Sequence, residues 1–374
     1  MPVTSDRAVS VTPRWARIAL SRGPTWSRAA EIASVVTRSF HRILPGNSNE
    51  GCQTALRGST VSAMNDVDVV VIGGGAAGLS AALVLSRARR RVLVVDSGEP
   101  RNATAQHMQG FLSRDGMPPA HLLDEGRREV AGYGTEIRRG TVRELVSCGD
   151  KGFLVLLDDR TRVMARRLVV TTGLRDELPD VPGLRERWAR DVLHCPYCHG
   201  WEVRDQQLGV LWNGPDSVRY AQTVRQWTHD AVLFAPADTL THADRSRLIA
   251  RAIGIVEGDV AGLVVEDDRL RWVELADGHR VPRDALFVPP RFVPNDDLLT
   301  RLGCAVDDQG WVVVGPQGAT SVPGVWVAGN VANPRAQVIT AAGEGSAVAI
   351  AVNADLVEED VRDAVRAFNQ GWVS

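Results

Sequence analysis

The fold of this chain is decided by residues 67–78, which read Val-Asp-Val-Val-Val-Ile-Gly-Gly-Gly-Ala-Ala-Gly. The first half is an apolar run that predicts a buried strand over Val67–Ile72, and a helical pattern follows over Ala76–Ala88. A second apolar run, Arg91–Asp96, completes the unit. Strand, glycine turn, helix and strand in this order predict a parallel βαβ unit with a right-handed crossover.

The glycines of this turn have separate uses in a dinucleotide site. Gly73 permits the tight turn, Gly75 lets a pyrophosphate approach the backbone, and Gly78 lets the helix pack closely on the strand. The N-terminus of the helix faces the phosphates. Asp96 ends the second strand about 20 residues later, where it is placed to accept hydrogen bonds from a ribose. In this context the glycine motif predicts a nucleotide site.

A second motif, the sequence CPYC at residues 195–198, lies well downstream and is followed by His199. This spacing places Cys195 and Cys198 within one helical turn, where an exchangeable disulfide forms easily and a thiol pKa can be lowered. The alternative is half of a zinc site, which needs two further ligands. Although His194 and His199 adjoin the pair, adjacent residues rarely wrap one metal ion, so redox chemistry is favoured and no metal is expected.

A degenerate copy of the first unit follows the cysteine pair. Leu208–Leu211 predicts a strand, Ser217–Trp227 a helix and Ala231–Phe234 a further strand. Of the three small turn positions only Gly214 is still glycine, and Trp212 stands where the first glycine would make the turn. An indole there should crowd out a pyrophosphate, and no basic cluster for a 2'-phosphate follows. The unit is expected to keep the fold without the ligand.

Composition indicates an ordinary globular protein. The chain has 374 residues, 44% of them hydrophobic, and a formal net charge of -2. This length favours two domains, and the charge gives no reason to expect nucleic acid or an anionic membrane as a partner. No apolar run is long enough for a membrane-spanning helix. Five cysteines are too few and too scattered for a disulfide scaffold, which fits a reducing cytoplasm.

Several cysteines and tryptophans are expected to have packing roles only. Free cysteine packs as a small hydrophobe, so ordinary thiols are predicted at Cys52, Cys148 and Cys304. Three tryptophans could line an apolar substrate pocket, yet packing is the favoured interpretation for Trp201, Trp212 and Trp227.

The chain divides into an N-terminal extension and two interleaved domains. Residues 1–63 are rich in arginine and serine and poor in acids, and Met64 stands directly before the first strand. A start codon assigned too early is favoured over a transit peptide or a real arm. Proline-marked joints predict one domain over 64–182 and 285–374, with 183–284 inserted into it.

The last third of the chain reads as short strands and turns. A strand is predicted over Trp311–Val314, and a closing apolar helix over Ala341–Leu356, beginning after Gln337.

These residues resemble a known family, the low-molecular-weight thioredoxin reductases and the related flavin-dependent dithiol oxidases, within class II of the pyridine nucleotide-disulfide oxidoreductases. The resemblance covers essentially all of residues 64–374. It rests on the order and spacing of the motifs already quoted, together with Val170–Gly173, Ala319–Gly329 and Gln337–Ala342.

The resemblance implies an α/β fold with two Rossmann-like three-layer dinucleotide-binding domains, the second inserted into the first, and a homodimer. It implies FAD as cofactor, Cys198 facing the flavin and Cys195 exchanging with substrate. His199 stands where the reductases have Asp, and its near-neutral pKa suits it to take a thiol proton. The residues expected at FAD are Gly73, Gly75, Ala76, Ala77, Gly78, Asp96, Thr172, Gly173, Gly329, Asn330, Gln337 and Val338.

Two departures bear on the cofactors. Asn330 stands where the reductases have Asp, so a ribityl hydrogen bond can persist without the charge. The reductases also carry an intact second glycine motif and an arginine cluster for NADPH, and this chain has neither. FAD is therefore expected, whereas NADPH is doubtful.

Three functions stay open from the sequence. The first, which is favoured, is a flavin-dependent dithiol oxidase with dioxygen as electron acceptor. The second is a thioredoxin-reductase-like enzyme supplied by NADPH or another donor, and the third is a flavoprotein that senses redox state without turnover. The expected partner is a small dithiol or disulfide, or a thioredoxin-like protein, in the cytoplasm.

Overall fold

The computed structural model describes Cys52 and residues 65–371. The strands are β1 (Asn65–Ile72), β2 (Val92–Asp96), β3 (Glu136–Arg139), β4 (Val142–Ser147), β5 (Phe153–Leu157), β6 (Arg162–Val170), β7 (Leu174–Glu177), β8 (Val192–Leu193), β9 (Leu208–Leu211), β10 (Ala231–Ala235), β11 (Ile253–Glu257), β12 (Val260–Glu266), β13 (Arg269–Leu275), β14 (Arg280–Pro282), β15 (Ala285–Phe287), β16 (Arg291–Pro294) and β17 (Val325–Val327). The helices are α1 (Ala76–Arg87), α2 (Pro119–Ala131), α3 (Pro196–His199), α4 (Asp216–Val224), α5 (His242–Ala250), α6 (Asp297–Arg301) and α7 (Val338–Gly371).

The first sheet has seven strands in the order β3-β2-β1-β6-β5-β4, with β17 also paired to β6. Because side chains alternate along a strand, β1 supplies both faces of the sheet. Val69 and Val71 are buried in the core shared with α1 and α7, whereas Val70 and Ile72 are buried in the opposite core, toward β4 and β5. Apolar layers therefore cover both faces of this sheet.

The predicted first unit is confirmed. β1 pairs in parallel with β2, and α1 connects them, as the glycine turn and the two apolar runs indicated. The observed bounds lie within two residues of those predicted from the sequence. The turn that follows β1 is thereby fixed at the carboxyl edge of the sheet, where ligands bind in open α/β folds.

The second sheet has the parallel order β11-β10-β9-β15-β8, and a three-stranded sheet of β12, β13 and β14 packs on one of its faces. The chain leaves the first sheet after β6 and returns to it at β17, so the second unit lies inside the first in sequence. The expected α/β fold with two Rossmann-like domains is confirmed. The exact boundaries stay a proposal, and β15 pairs in the second sheet just past the predicted end at 284.

A two-stranded antiparallel ribbon, β7 with β16, joins the two sheets. Its register places Phe292 opposite Asp176 and Val293 opposite Arg175. The ribbon carries the chain out of the first sheet and back toward it.

Two expectations for the last third are corrected. Trp311–Val314 is not a strand, because only a single bridge between Val306 and Val312 forms there and no ladder follows. The closing helix is longer than predicted: α7 begins directly after Gln337 but continues to Gly371. Within residues 65–371 no helix is both long enough and apolar enough to cross a membrane.

The expectation of free thiols at Cys52 and Cys148 is wrong. The two are joined in a disulfide with a Cα–Cα distance of 5.3 Å, and they are buried with Leu154 under partly buried apolar side chains of β4 to β6. Cys304 is a free, buried thiol, as predicted. The rest of residues 1–63, including the question of a transit peptide or an early start codon, lies outside the described residues.

Candidate active site

The glycine turn after β1 is held by the start of the β6–β7 connection. Gly73 has a φ of 105°, which favours glycine, and a Cβ there would lie 2.5 Å from the carbonyl oxygen of Thr171. The Thr171 hydroxyl donates to the carbonyl oxygens of Ile72 and Gly73 at 3.0 and 2.9 Å. A Cβ on Gly78 would collide with the Gly73 carbonyl. The turn can close only with these two glycines.

Gly75 differs from Gly73 and Gly78 because a side chain added to it would meet no other part of the described chain. No heavy atom lies within 4 Å of the place where its Cβ would be, and its φ of -76° is ordinary. It is the N-cap residue of α1, whose first turn, opening with Ala76 and Ala77, carries no acidic side chain. Free backbone N–H groups at a helix N-terminus attract phosphate. Gly75 and the N-terminus of α1, called the cradle below, therefore fit the pyrophosphate of a bound dinucleotide.

Asp96 stands at the carboxyl end of β2, beside this cradle. Its Oδ1 accepts from the Gly74 amide at 3.1 Å, and its Oδ2 from the Arg127 guanidinium at 3.4 Å. The position is the one that ribose recognition requires. The ribose contact itself stays a prediction.

Of the predicted pair Thr172 and Gly173, neither holds the glycine turn. The Thr172 hydroxyl donates to the carbonyl oxygen of Asn295 at 2.6 Å, and the Asn295 amide group returns a hydrogen bond to the Thr172 carbonyl at 2.9 Å. The backbone N–H of Asn295 also donates to the Gly173 carbonyl. These two residues tie the end of β16 to the first sheet, and a cofactor contact for them stays a prediction.

The loop before α7 is ordered by Asn330 and Glu344. The Asn330 amide group donates to the carbonyl oxygens of Asn333 and Ala336 at 2.9 and 3.0 Å. Glu344 accepts from the Gly329 amide at 2.8 Å and from the Asn333 side chain at 2.7 Å. Both polar atoms of the Asn330 side chain have protein partners, since its Oδ1 accepts from the Arg101 guanidinium at 3.2 Å. A ribityl contact for Asn330 would need one of these bonds to be shared.

Gln337 and Val338 lie where this loop enters α7. The Gln337 carbonyl accepts from the Ala341 amide at 2.8 Å, which begins the helix. Gly329 packs close to Ala77, because a Cβ on it would meet the Ala77 methyl at 3.1 Å. Gly329, from the second half of the first domain, therefore lies against the first turn of α1, while cofactor contacts of Gln337 and Val338 stay a prediction.

The cysteine pair is bonded in a disulfide. Cys195 is the N-cap of the one-turn helix α3, and the Cα atoms of Cys195 and Cys198 are 5.1 Å apart. The amides of Cys198 and His199 both donate to the Cys195 carbonyl at 3.1 Å, and Pro196 occupies the first helical position. Both cysteine residues are partly exposed, as thiol exchange with a substrate requires.

His199 follows the second cysteine and is half-buried. Burial lowers its pKa below the usual value, and the charge of Glu202 opposes this only in part. The imidazole is therefore neutral at neutral pH and can accept a proton. This fits the predicted acid-base role beside Cys198.

We expect the pH profile of kcat/KM for a dithiol to show the titration of His199. A base must be neutral to act, so activity should rise with pH through an acid limb whose midpoint lies below 6.5, the ordinary pKa of histidine. The His199→Gln variant should lose that limb. A limb that persists unchanged in His199→Gln would show that another group is the base.

His194, on the other side of the pair, is half-buried, with its Nδ1 atom out of contact with solvent. Its Nδ1 has no hydrogen-bond partner among the described residues, and burial, followed by the charge of Arg101, lowers its pKa to about 4. The ring lies 5.2 Å from that of Phe292 in an edge arrangement and 6.4 Å from that of Trp188. His194 is thus neutral and enclosed by aromatic rings.

The outer side of α3 is aromatic. Tyr197 and Trp201 are 69% and 66% exposed, and Arg204 lies 4.2 Å above the Trp201 ring. Trp227 packs beneath, in edge contact with Tyr197 at 5.5 Å. The expected packing role is therefore confirmed for Trp227, and also for Trp212, which packs on the core of the second sheet, but it is wrong for Trp201.

The turn after β9 departs from the first glycine turn. The Asn213 amide donates to the Ser217 hydroxyl at 2.9 Å, and the Asn213 side chain donates to the Pro289 carbonyl at 2.8 Å. Asp216, with its side chain 88% exposed, begins α4 and places a carboxylate in its first turn. Although Arg219 lies 3.5 Å from this carboxylate, an acidic side chain in the first turn of a helix is unfavourable for a bound phosphate.

No group of three or more His, Cys, Asp or Glu side chains in the described part of the chain is arranged to hold a metal ion.

Comparison with known proteins places the chain among flavin-linked redox enzymes. The sequence profile of the pyridine nucleotide-disulphide oxidoreductases matches residues 67–345. A probable thioredoxin reductase of Arthroderma benhamiae is 30% identical over 304 residues, which are 71% of this chain and 74% of that protein. The crystal structure of HlmI superposes with a TM-score of 0.80 at 56% identity and covers 84% of this chain and 99% of HlmI. A putative thioredoxin reductase of Bacillus anthracis has a TM-score of 0.75 at 31% identity and covers 79% and 99%.

Proposed function

The chain belongs to the pyridine nucleotide-disulphide oxidoreductase family, and we propose that it is an FAD-dependent dithiol oxidase. In the proposed reaction a substrate dithiol reduces the Cys195–Cys198 disulfide by thiol exchange and leaves as a disulfide. The pair then loses two electrons and two protons and closes again, and dioxygen is reduced to hydrogen peroxide. FAD, when bound, carries the electron pair from the cysteines to dioxygen.

The residues of the chain divide this work. The first substrate thiolate attacks one sulfur of the pair, forming a mixed disulfide and releasing the other cysteine as a thiolate. The second substrate thiolate then attacks the substrate sulfur of the mixed disulfide and releases the first cysteine, so that the substrate leaves as a disulfide. By the family resemblance Cys195 is the sulfur attacked and Cys198 faces the flavin. His199, neutral because it is half-buried, takes the proton that the released thiol would otherwise keep.

The proposal of an oxidase rests on the contrast between the N-terminus of α1 and that of α4. At α1 the turn is open at Gly75 and the first helical turn has no acid. At α4 the turn holds Trp212 in place of glycine, and Asp216 opens the helix. A dinucleotide is favoured at the first and disfavoured at the second, which supports FAD and argues against NADPH.

A thioredoxin-reductase-like activity is the second candidate. The names of the relatives from Arthroderma benhamiae and Bacillus anthracis favour it, because both are called thioredoxin reductases. This enzyme would need an electron donor, NADPH or another, and a thioredoxin-like partner. The expected homodimer and the cytoplasmic location belong to either candidate.

Anaerobic stopped-flow absorbance separates the two candidates. The purified flavoprotein is mixed with dithiothreitol, NADPH or NADH while the visible flavin absorbance is followed. We expect dithiothreitol to bleach the flavin, neither nucleotide to do so, and the colour to return when air is admitted. Fast bleaching by NADPH would refute the oxidase and show that the turn at Trp212 accepts a nucleotide.

A further inference from the structure

A continuous set of contacts runs from the loop before α7 to the redox disulfide. Its first member is Arg101, which follows β2 and is largely buried. Its guanidinium donates to Asn330 Oδ1 at 3.2 Å and to both carboxylate oxygens of Asp176 at 2.7 and 2.8 Å. The same guanidinium lies 5.1 Å from the centre of the Phe292 ring.

The ribbon explains why one arginine can reach both of these partners. Asp176 on β7 and Phe292 on β16 are directly opposite in the antiparallel register. Cross-strand neighbours in such a pair lie about 5 Å apart, so a single guanidinium can bind the carboxylate and cover the ring. Arg101 therefore fixes this end of the ribbon against the first domain.

The Phe292 ring also meets the inserted domain. The ring contacts His194 at 5.2 Å, and His194 directly precedes Cys195. The His194 backbone is anchored on its own domain, because the Tyr220 hydroxyl on α4 donates to its carbonyl oxygen. Phe292 thus contacts both Arg101 of the first domain and His194 of the second.

We propose that Phe292, clamped by Arg101, is a positioning residue that holds the Cys195–Cys198 disulfide against the FAD-binding domain. A cysteine pair that exchanges electrons with a flavin must be held in contact with it, since small displacements of reacting groups cost large factors in rate. The clamp supplies this contact without a hydrogen bond to either sulfur. It is needed for electron transfer in either direction and so does not depend on the choice between oxidase and reductase.

The test replaces the ring while it keeps apolar volume. Phe292→Leu loses the contacts with Arg101 and His194, whereas Phe292→Tyr keeps the ring. Tyr133→Leu is the matched control, because Arg87 lies over the Tyr133 ring at the same distance of 5.1 Å, on α1 and away from the disulfide. All three holoenzymes are checked for FAD content and circular dichroism.

The first readout is the rate constant for anaerobic flavin bleaching by dithiothreitol. We expect Phe292→Leu to lower it about tenfold, the equivalent of about 1.4 kcal/mol, with Phe292→Tyr and Tyr133→Leu within about twofold of wild type. The second readout needs no turnover: the rate at which iodoacetamide alkylates the chemically reduced Cys195 and Cys198, followed by mass spectrometry. If Phe292→Leu releases the inserted domain, its Cys195 and Cys198 should be alkylated several times faster than in wild type, and those of Phe292→Tyr and Tyr133→Leu should not.

Unchanged alkylation in Phe292→Leu would overturn the proposal, as would an equal effect of Phe292→Tyr. If dithiothreitol fails to bleach the wild-type flavin, the oxidase is refuted, while the alkylation rates still decide the role of Phe292.

Discussion

Replacement of Cys198 by serine should abolish dithiol oxidation and leave FAD bound. The pair forms one disulfide, and a single remaining thiol can neither close it nor pass two electrons onward. We expect kcat to fall by a factor of about 10³ or more, the scale on which loss of a covalent nucleophile acts. Oxygen uptake with dithiothreitol measures the loss, and visible absorbance measures the bound flavin.

Two further measurements make this result specific to the pair. Cys304→Ser should retain turnover, because Cys304 is a free buried thiol that contacts Thr320. In Cys198→Ser the lone Cys195 should form a mixed disulfide with glutathione disulfide, seen as a mass increase on the Cys195 peptide. Residual turnover in Cys198→Ser near that of wild type would refute the proposed chemistry.

A valine at Gly75 should produce a folded protein without FAD. Nothing lies within 4 Å of the Cβ position, and the φ of -76° suits any residue, so the chain can fold around the new side chain. The side chain would project into the space proposed for the pyrophosphate. We expect the Kd for FAD to rise about a hundredfold or more, or about 2.7 kcal/mol.

Titration of the apoprotein with FAD measures this effect, and thermal unfolding of the apoprotein reports the fold. Gly262→Ala is the control, since its Cβ would make only ordinary contacts at 3.5 Å with Pro182 and lies on β12. Full flavin occupancy in Gly75→Val would place the cofactor elsewhere. Gly78→Ala is unsuitable for this test, because its Cβ collides with the Gly73 carbonyl.

The sequence predicts those parts of the fold that depend on local spacing. β1, α1 and β2, and likewise β9 and β10, lie within two residues of their predicted bounds because apolar period and glycine position determine them. Trp311–Val314 has the composition of a strand but lacks a neighbouring ladder to pair with, which no local pattern reveals. The lack of a partner strand therefore outweighs the strand propensity of these residues.

The sequence predicts the site residues that lie in recognisable motifs. It does not predict the residues that link those motifs in space. Gly73, Gly75 and Gly78 identify the cradle from the sequence. Thr171, which closes the turn, was not among the predicted site residues, although it lies in the stretch Val170–Gly173 that carries the family resemblance. Arg101 and Phe292 were missed altogether, since they meet across 191 residues of chain with no periodic signal. The disulfide between Cys52 and Cys148 was also missed, since the spacing of two distant cysteines does not reveal that they pair.

With the bond between Cys52 and Cys148 the protein has two disulfides, and they differ in how easily a dithiol can reach their sulfur atoms. A substrate thiol must touch a sulfur to exchange with it, and Cys195 and Cys198 are partly exposed whereas Cys52 and Cys148 are 5% and 1% exposed. The difference is one of access. The same reductant should therefore open the first bond in every catalytic cycle and leave the second intact, so that the protein stays covalently closed while it is turning over.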